Sequence, residues 1–130
     1  MENSKIQKIK NVLTYWMCMN TLKDVKRSGW LDWKVKRNRI ESVQDHTASA
    51  QQLALIIYNE FQIDVNIDRV CSILAAHESE ETIIGDLSLC GKLKEYQNEI
   101  GNIATKTLFE NMSGNYIQEL ISEFNERKTI

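Results

Sequence analysis

The chain holds two histidines, and each stands beside a carboxylate: Asp45-His46 and His77-Glu78. Further acids follow the second pair, with Glu80, Glu81 and Asp86 all lying in the segment His77-Glu78-Ser79-Glu80-Glu81-Thr82-Ile83-Ile84-Gly85-Asp86. Carboxylates resist burial unless their charge is balanced, and a divalent cation is a common way to balance it. Imidazole and carboxylate donors together suit Mn, Fe, Co, Ni or Zn better than Ca or Mg. The same residues admit a plainer reading, in which His46 packs locally and the acids form a solvated helix end. Type and spacing alone leave both open. The zinc-protease pattern H-E-x-x-H does not apply, because its fifth position here is Glu81.

For two imidazoles to share an ion, their elements must turn them toward one interior. Ser42-Val43-Gln44-Asp45 matches a capping box, in which the serine side chain accepts an amide of the first turn and the acid reaches back. The helix it opens is expected to run to about Glu60. His46, Ala50, Leu53, Ala54, Ile57 and Phe61 share one face, which puts His46 on the inner stripe near the helix start. Asn66 caps the next helix, with Ile67, Val70, Cys71, Leu74, Ala75 and Glu78 facing inward and Gly85 stopping or bending it. His77 lies one turn from Ile73 and Leu74, so it too is expected to point at the neighbouring helix.

The remaining elements read as helices as well. Ile6, Ile9, Val12, Leu13, Trp16 and Met17 recur at three- and four-residue steps, which predicts an amphipathic helix over residues 4–19. Leu22 continues the helical region through a break near Asn20. Two more helices are expected at roughly 91–111 and 115–126, with Gly114 in the turn between them. Across 130 residues there is no proline and there are only five glycines, which disfavours a turn-rich β-sandwich and favours one all-α domain.

Composition excludes several function classes. A net charge of −2 rules out a general nucleic-acid or membrane binder, and no apolar run approaches the length of a bilayer span. The N-terminus lacks an apolar signal core, and three cysteines without metal-finger spacing suit a reducing, cytoplasmic setting. Cys18, Cys71 and Cys90 read as packing residues, and Met17 and Met19 beside Trp16 as core. Between Lys23 and Arg39, seven basic residues face only two acids, with Trp30 and Trp33 among them. Such a segment can stack on single-stranded nucleic acid. A solvated loop with its tryptophans pinned to the core is the simpler reading, so a nucleic-acid partner is disfavoured.

Three stretches together carry a resemblance. They are Leu22-Lys23 through Arg27-Ser28-Gly29-Trp30, then Glu41-Ser42-Val43-Gln44-Asp45-His46, then Ala76-His77-Glu78 through Glu81 and Gly85-Asp86. Over residues 22–89 the chain resembles the HD-domain metal-dependent phosphohydrolases. It is similar both to the bacterial 5′-nucleotidases and to the HD-domain-containing protein 2 type of 5′-deoxynucleotidase. That group carries R-x-G-W, then E-S-V-x-(D/E)-H, then H-D-x-x-E-x-x-x-G-D. The resemblance implies an all-α HD-domain bundle in which His46, His77 and Glu78 ligate a catalytic divalent metal. It implies a proton-transfer role for Glu81, and for Asp86 a hold on the substrate sugar or on a metal-bound water. Arg27 would neutralise the phosphate and Trp30 would pack in the substrate wall. The implied reaction is hydrolysis of (deoxy)nucleoside 5′-monophosphates or similar small phosphates, with the metal activating water and a positioned acid assisting the leaving oxygen. Two other readings remain: a catalytically impaired HD-fold nucleotide-binding or interaction module, and a small RNA-binding helical protein.

The chain departs from the group's pattern in three places. Glu78 stands where the group has aspartate, so its carboxylate lies one methylene further from the backbone. Ile40 and Leu89 stand where relatives commonly carry proline. The group's last metal ligand is an aspartate on a helix beyond a segment like Glu119-Leu120-Ile121-Ser122-Glu123-Phe124, and no aspartate follows Asp86 here. The expectation is therefore an HD bundle of residues 1–130 without its C-terminal helix, weak in metal binding and in activity. Such a chain is expected to form a homodimer, through apolar residues such as Leu120, Ile121 and Phe124.

Overall fold

The computed structural model describes residues 2–27, 40–84 and 94–126. Helix α1 spans Glu2–Asn20 and runs into a 3₁₀ turn at Thr21–Lys23. Then come α2 (Val43–Phe61), α3 (Ile67–Ala76), the short α4 (Glu81–Ile84), α5 (Lys94–Phe109) and α6 (Tyr116–Glu126). Among the described residues the only β structure is an isolated antiparallel bridge between Lys26 and Ser42. The protein is an all-α bundle.

Local chemistry sets the ends of the two helices that matter most. Ser42 Oγ accepts the Asp45 N–H at 3.0 Å, and the Asp45 carboxylate accepts the Ser42 N–H at 3.0 Å, so the capping box forms in full. Helix α2 closes at Gln62, whose φ of 50° is the left-handed conformation that glycine usually supplies. Asn66 then caps α3 by accepting the Arg69 N–H at 3.1 Å. The Gln51 side chain donates to the Cys71 carbonyl at 2.9 Å and ties α2 to α3.

Helix α3 is shorter than the sequence pattern predicts. It stops at Ala76, and residues 77–80 form turns rather than continuing toward Gly85. Ser79 belongs to this turn: its hydroxyl and its N–H both bond the Ala76 carbonyl, at 2.6 and 3.0 Å. A serine hydroxyl on a backbone carbonyl weakens and often bends a regular ladder, and Ser79 is buried to 1% exposure while it makes that bond. Glu81 therefore opens a new helix instead of sitting on the turn of α3 after His77. Helix α5 comes close to this turn at Gly101, where an added Cβ would collide with the Glu80 carboxylate.

The core is built from Ala76, Leu108, Phe109, Leu120 and Ile121, with Tyr15, Cys18, Met19, Ile73, Met112 and Ile117 packed against it. The Tyr15 and Phe109 rings lie 5.8 Å apart and fasten α1 to α5. Three expectations change here. The apolar stripe of α1, from Ile6 to Met17, is 45–64% exposed, and the helix meets the bundle through Tyr15, Cys18 and Met19. On α2 the buried positions are Val43 and Thr47, while Leu53, Ile57 and Phe61 are exposed. Periodicity identified an apolar stripe on each helix, but the α1 stripe is exposed and the α2 stripe is only partly covered, at His46, Ala50 and Ala54. Leu120 and Ile121 are buried at 3% each, so they offer no surface for self-association. Cys71 is partly buried, and Cys90 lies outside the described residues.

Arg69 links α3 to α6. Its Nε donates to Glu123 Oε2 at 3.0 Å, a second guanidinium nitrogen engages the other carboxylate oxygen, and the guanidinium lies 5.4 Å from the centre of the Tyr116 ring.

Candidate metal centre

His46 sits in the first turn of α2, where the Ser42 cap fixes the backbone and its N–H bonds the Ser42 carbonyl at 3.0 Å. His77 closes α3, with its N–H on the Ile73 carbonyl at 2.9 Å. The two imidazoles converge from the start of α2 and the end of α3, their centroids 5.8 Å apart and their planes inclined by 59°. Glu78 enters between them. Its Oε1 lies 3.0 Å from His77 Nε2 and 3.8 Å from His46 Nε2. One donor atom from each of the three residues falls within 4.8 Å of the others.

The donor set is chemically suited to a cation. His77 Nδ1 lies 2.5 Å from the Leu74 carbonyl and donates to it, which leaves Nε2 as the free nitrogen. That nitrogen faces a carboxylate oxygen, and two lone pairs at 3.0 Å need a proton or a metal ion between them. A histidine oriented through its other nitrogen is the usual arrangement of a metal ligand. Metal–donor bonds of about 2.0–2.2 Å place neighbouring donors roughly 3.0–3.5 Å apart; the His77–Glu78 separation of 3.0 Å falls in that range and His46 Nε2, 3.8 Å from Glu78 Oε1, lies just beyond it.

Without a metal, protons answer the same charges. Burial depresses the His77 imidazole, but the hydrogen bond and charge of Glu78 and the Leu74 carbonyl outweigh it, and the pKa ends above 6.5. Burial also opposes ionisation of Glu78. Hydrogen bonds with His77 and Glu81, with the charges of both histidines, prevail and pull it down to about 2. For His46, burial and then the Arg27 charge lower the pKa, leaving a neutral imidazole with a lone pair to offer.

Around this cluster, Glu81 begins α4 with 9% exposure, and its carboxyl group is hydrogen-bonded with Glu78. Arg27 reaches the same region by backbone pairing, its N–H on the Glu41 carbonyl at 2.9 Å and Val43 N–H on the Val25 carbonyl at 2.7 Å. Arg27 Nε lies 3.6 Å from Glu41 Oε2. Trp30 and Asp86, singled out from the sequence, lie outside the described residues. Two neighbours went unnoticed in the sequence reading. Glu41 balances Arg27 and belongs to the E-S-V stretch, so its position was a usable signal. The Phe124 ring stands 4.8 Å from the His77 ring, inclined by 54°, and nothing in its local spacing announces that contact. An apolar cleft of about 400 Å³ between α1 and the α5–α6 turn is lined by Val12, Phe109, Met112 and Ile117 among others, and shares no residue with the cluster.

The family model for the HD domain matches residues 19–130, a span that includes Arg27, Glu41, His46, His77, Glu78, Glu81 and Phe124. This chain belongs to the HD-domain family. A 5′-deoxynucleotidase HDDC2 of Danio rerio is 33% identical over 78 residues, covering 60% of this chain and 36% of the relative. A 5′-deoxynucleotidase HDDC2 of Bos taurus is 27% identical over 121 residues, covering 92% of this chain and 57% of the relative. The chain thus spans between about a third and a little over half the length of these relatives. Two solved structures share the fold. A conserved hypothetical protein from Pyrococcus furiosus superposes with a TM-score of 0.76 at 24% identity, over 91% of this chain and 69% of that one. The PH0347 protein from Pyrococcus horikoshii gives a TM-score of 0.75 at 21% identity, over 90% and 65%.

Proposed function

We propose that residues 1–130 form one HD domain that holds a divalent ion (Mn, Co, Fe, Ni or Zn) between His46, His77 and Glu78, and hydrolyses small phosphomonoesters. Nucleoside 5′-monophosphates are the favoured substrates. The observation that carries this reading is the convergence of two imidazoles and a carboxylate within 4.8 Å, one imidazole being oriented by a backbone carbonyl. When bound, such an ion polarises phosphoryl oxygens and makes a coordinated water more acidic. Glu81, buried beside Glu78, delivers a proton to the departing alcohol oxygen as the ester bond breaks and the water oxygen joins phosphorus. Arg27 offsets the phosphate charge. Trp30 keeps the substrate-wall role that the resemblance gives it, and Asp86 its hold on the substrate sugar or on a metal-bound water. The extra methylene of Glu78 does not keep its carboxylate from the histidines, which favours a ligand over an impaired, non-catalytic site.

The test is metal analysis alongside phosphate release from nucleoside 5′-monophosphates. Glu81→Ala is expected to retain the metal and lose most of the activity, whereas His77→Ala is expected to lose both. Equal metal loss in the two variants would make Glu81 a ligand.

We also place the protein in the cytoplasm and propose that it forms homodimers through the exposed stripe of α1, not through Leu120 and Ile121. Among the described residues no helix is long and apolar enough to cross a membrane. Light scattering should give twice the chain mass for the unaltered protein and the monomer mass for a Leu13→Glu, Trp16→Glu variant. Monomers in both would remove the proposal.

A further inference from the structure

We infer that Phe124 is a positioning residue for the His77 imidazole, and that the Arg69–Glu123 ion pair holds it in place. The inference rests on His77 being a metal ligand. The Leu74 carbonyl tethers Nδ1 and the Glu78 carboxylate meets Nε2, but two contacts at the ring's edge leave it free to rock about the line that joins them. A further contact is needed to fix its plane, and Phe124 supplies it from α6 with centroids 4.8 Å apart. The burial pattern is that of a cover. The His77 side chain is 5% exposed while Phe124 itself remains 42% exposed, so Phe124 shields more than it is shielded.

The cover is anchored independently of the ring contact. Glu123, the residue before Phe124, is gripped by Arg69 through two hydrogen bonds. The same guanidinium lies over Tyr116 at the start of α6. One arginine of α3 therefore touches both the first residue of α6 and a residue two turns later. Helix α6 cannot slide or roll along α3 without breaking one of these contacts, and its next side chain lands on His77. A ring held from both sides meets a metal ion with its lone pair already aimed, and loss of such support typically weakens metal binding by about 10- to 100-fold.

The experiment uses the full chain, Co²⁺ as probe, and NMR of the His77 ring protons. In the metal-free protein the Phe124 ring current should displace a His77 ring-proton signal, and Phe124→Leu should abolish the displacement. Phe124→Leu is expected to weaken Co²⁺ binding by about tenfold and to alter the visible absorption bands of bound Co²⁺. Phe124→Tyr, which restores the ring, should recover both. Glu123→Gln keeps the aromatic ring and slackens only its anchor, and is expected to weaken binding a few-fold. Unchanged affinity and bands in both Phe124→Leu and Glu123→Gln would overturn the inference and leave the metal site standing. Failure of the unaltered chain to bind Co²⁺, with the ring-current displacement present, would overturn the metal reading and the inference with it.

Discussion

The carboxylate of Glu78 lies 3.0 Å from Nε2 of His77, although the two residues are adjacent in the chain. Adjacent residues of a regular helix point about 100° apart and do not face each other. Here the regular ladder has ended at Ala76, so His77 and Glu78 occupy turn positions and direct their ends to one point. Their opposite charges stabilise each other when no metal is bound, and the same two atoms become free to ligate when one is.

This pairing sets the pH dependence of metal binding. Protons compete for the ligand nitrogens, and the His77 pKa is raised above 6.5. His77 is therefore the first ligand lost to protonation as pH falls, while Glu78, pulled down to about 2, stays ionised throughout. Co²⁺ or Mn²⁺ affinity is expected to be full at alkaline pH. It should decline by about tenfold per unit once the pH drops below the His77 pKa. Calorimetric titrations from about pH 8 to about pH 5 would check this, and a flat profile would exclude His77 as a ligand.

The two acid–histidine pairs should behave differently under mutation. Asp45 caps α2 and Glu78 faces the imidazoles. Asp45→Ala and Ser42→Ala are each expected to cost about 1 kcal/mol of stability while leaving one metal per chain. Glu78→Ala should lower metal occupancy with a similar or smaller effect on the cap. Denaturant melts paired with metal analysis separate these outcomes.

Arg27→Ala is expected to weaken a nucleoside monophosphate by about tenfold and the free nucleoside hardly at all, because the guanidinium answers the phosphate alone. Equal losses for both ligands would indicate a misfolded site. In the unaltered protein Glu41 lies beside Arg27 and offsets part of its charge, so the phosphate must compete with that carboxylate.

The sequence disclosed the helices whose ends are set by short-range chemistry. Ser42 and Asp45 announced the start of α2, and Asn66 the start of α3, because a cap is a contact between residues three apart. The convergence of His46 and His77 was also legible, since each histidine was expected on the inner side of its own helix. What could not be read was which face of a helix would find a neighbour. Ile9 and Leu53 carry the same periodic signal as buried residues, yet their partners would have to come from elements far away in the chain. The end of α3 at Ala76 was missed for a different reason. Ser79 is compatible with a helix by propensity, and its buried bond to Ala76 forms only once the turn has packed.

His46 lies in the first turn of α2 and His77 caps the end of α3, so nearly all of both helices lies between them. The pair is a hairpin, and the cluster sits at its open end, opposite the Gln62 turn. An ion shared there is a clasp: it joins chain segments that nothing covalent connects, as a disulfide would, and removes much of the freedom the hairpin has when its legs part. If the cluster holds the proposed ion, loading it is also an act of folding: the concentration of available metal would set how long the legs stay closed, and with that how rarely the backbone between them is exposed to a protease.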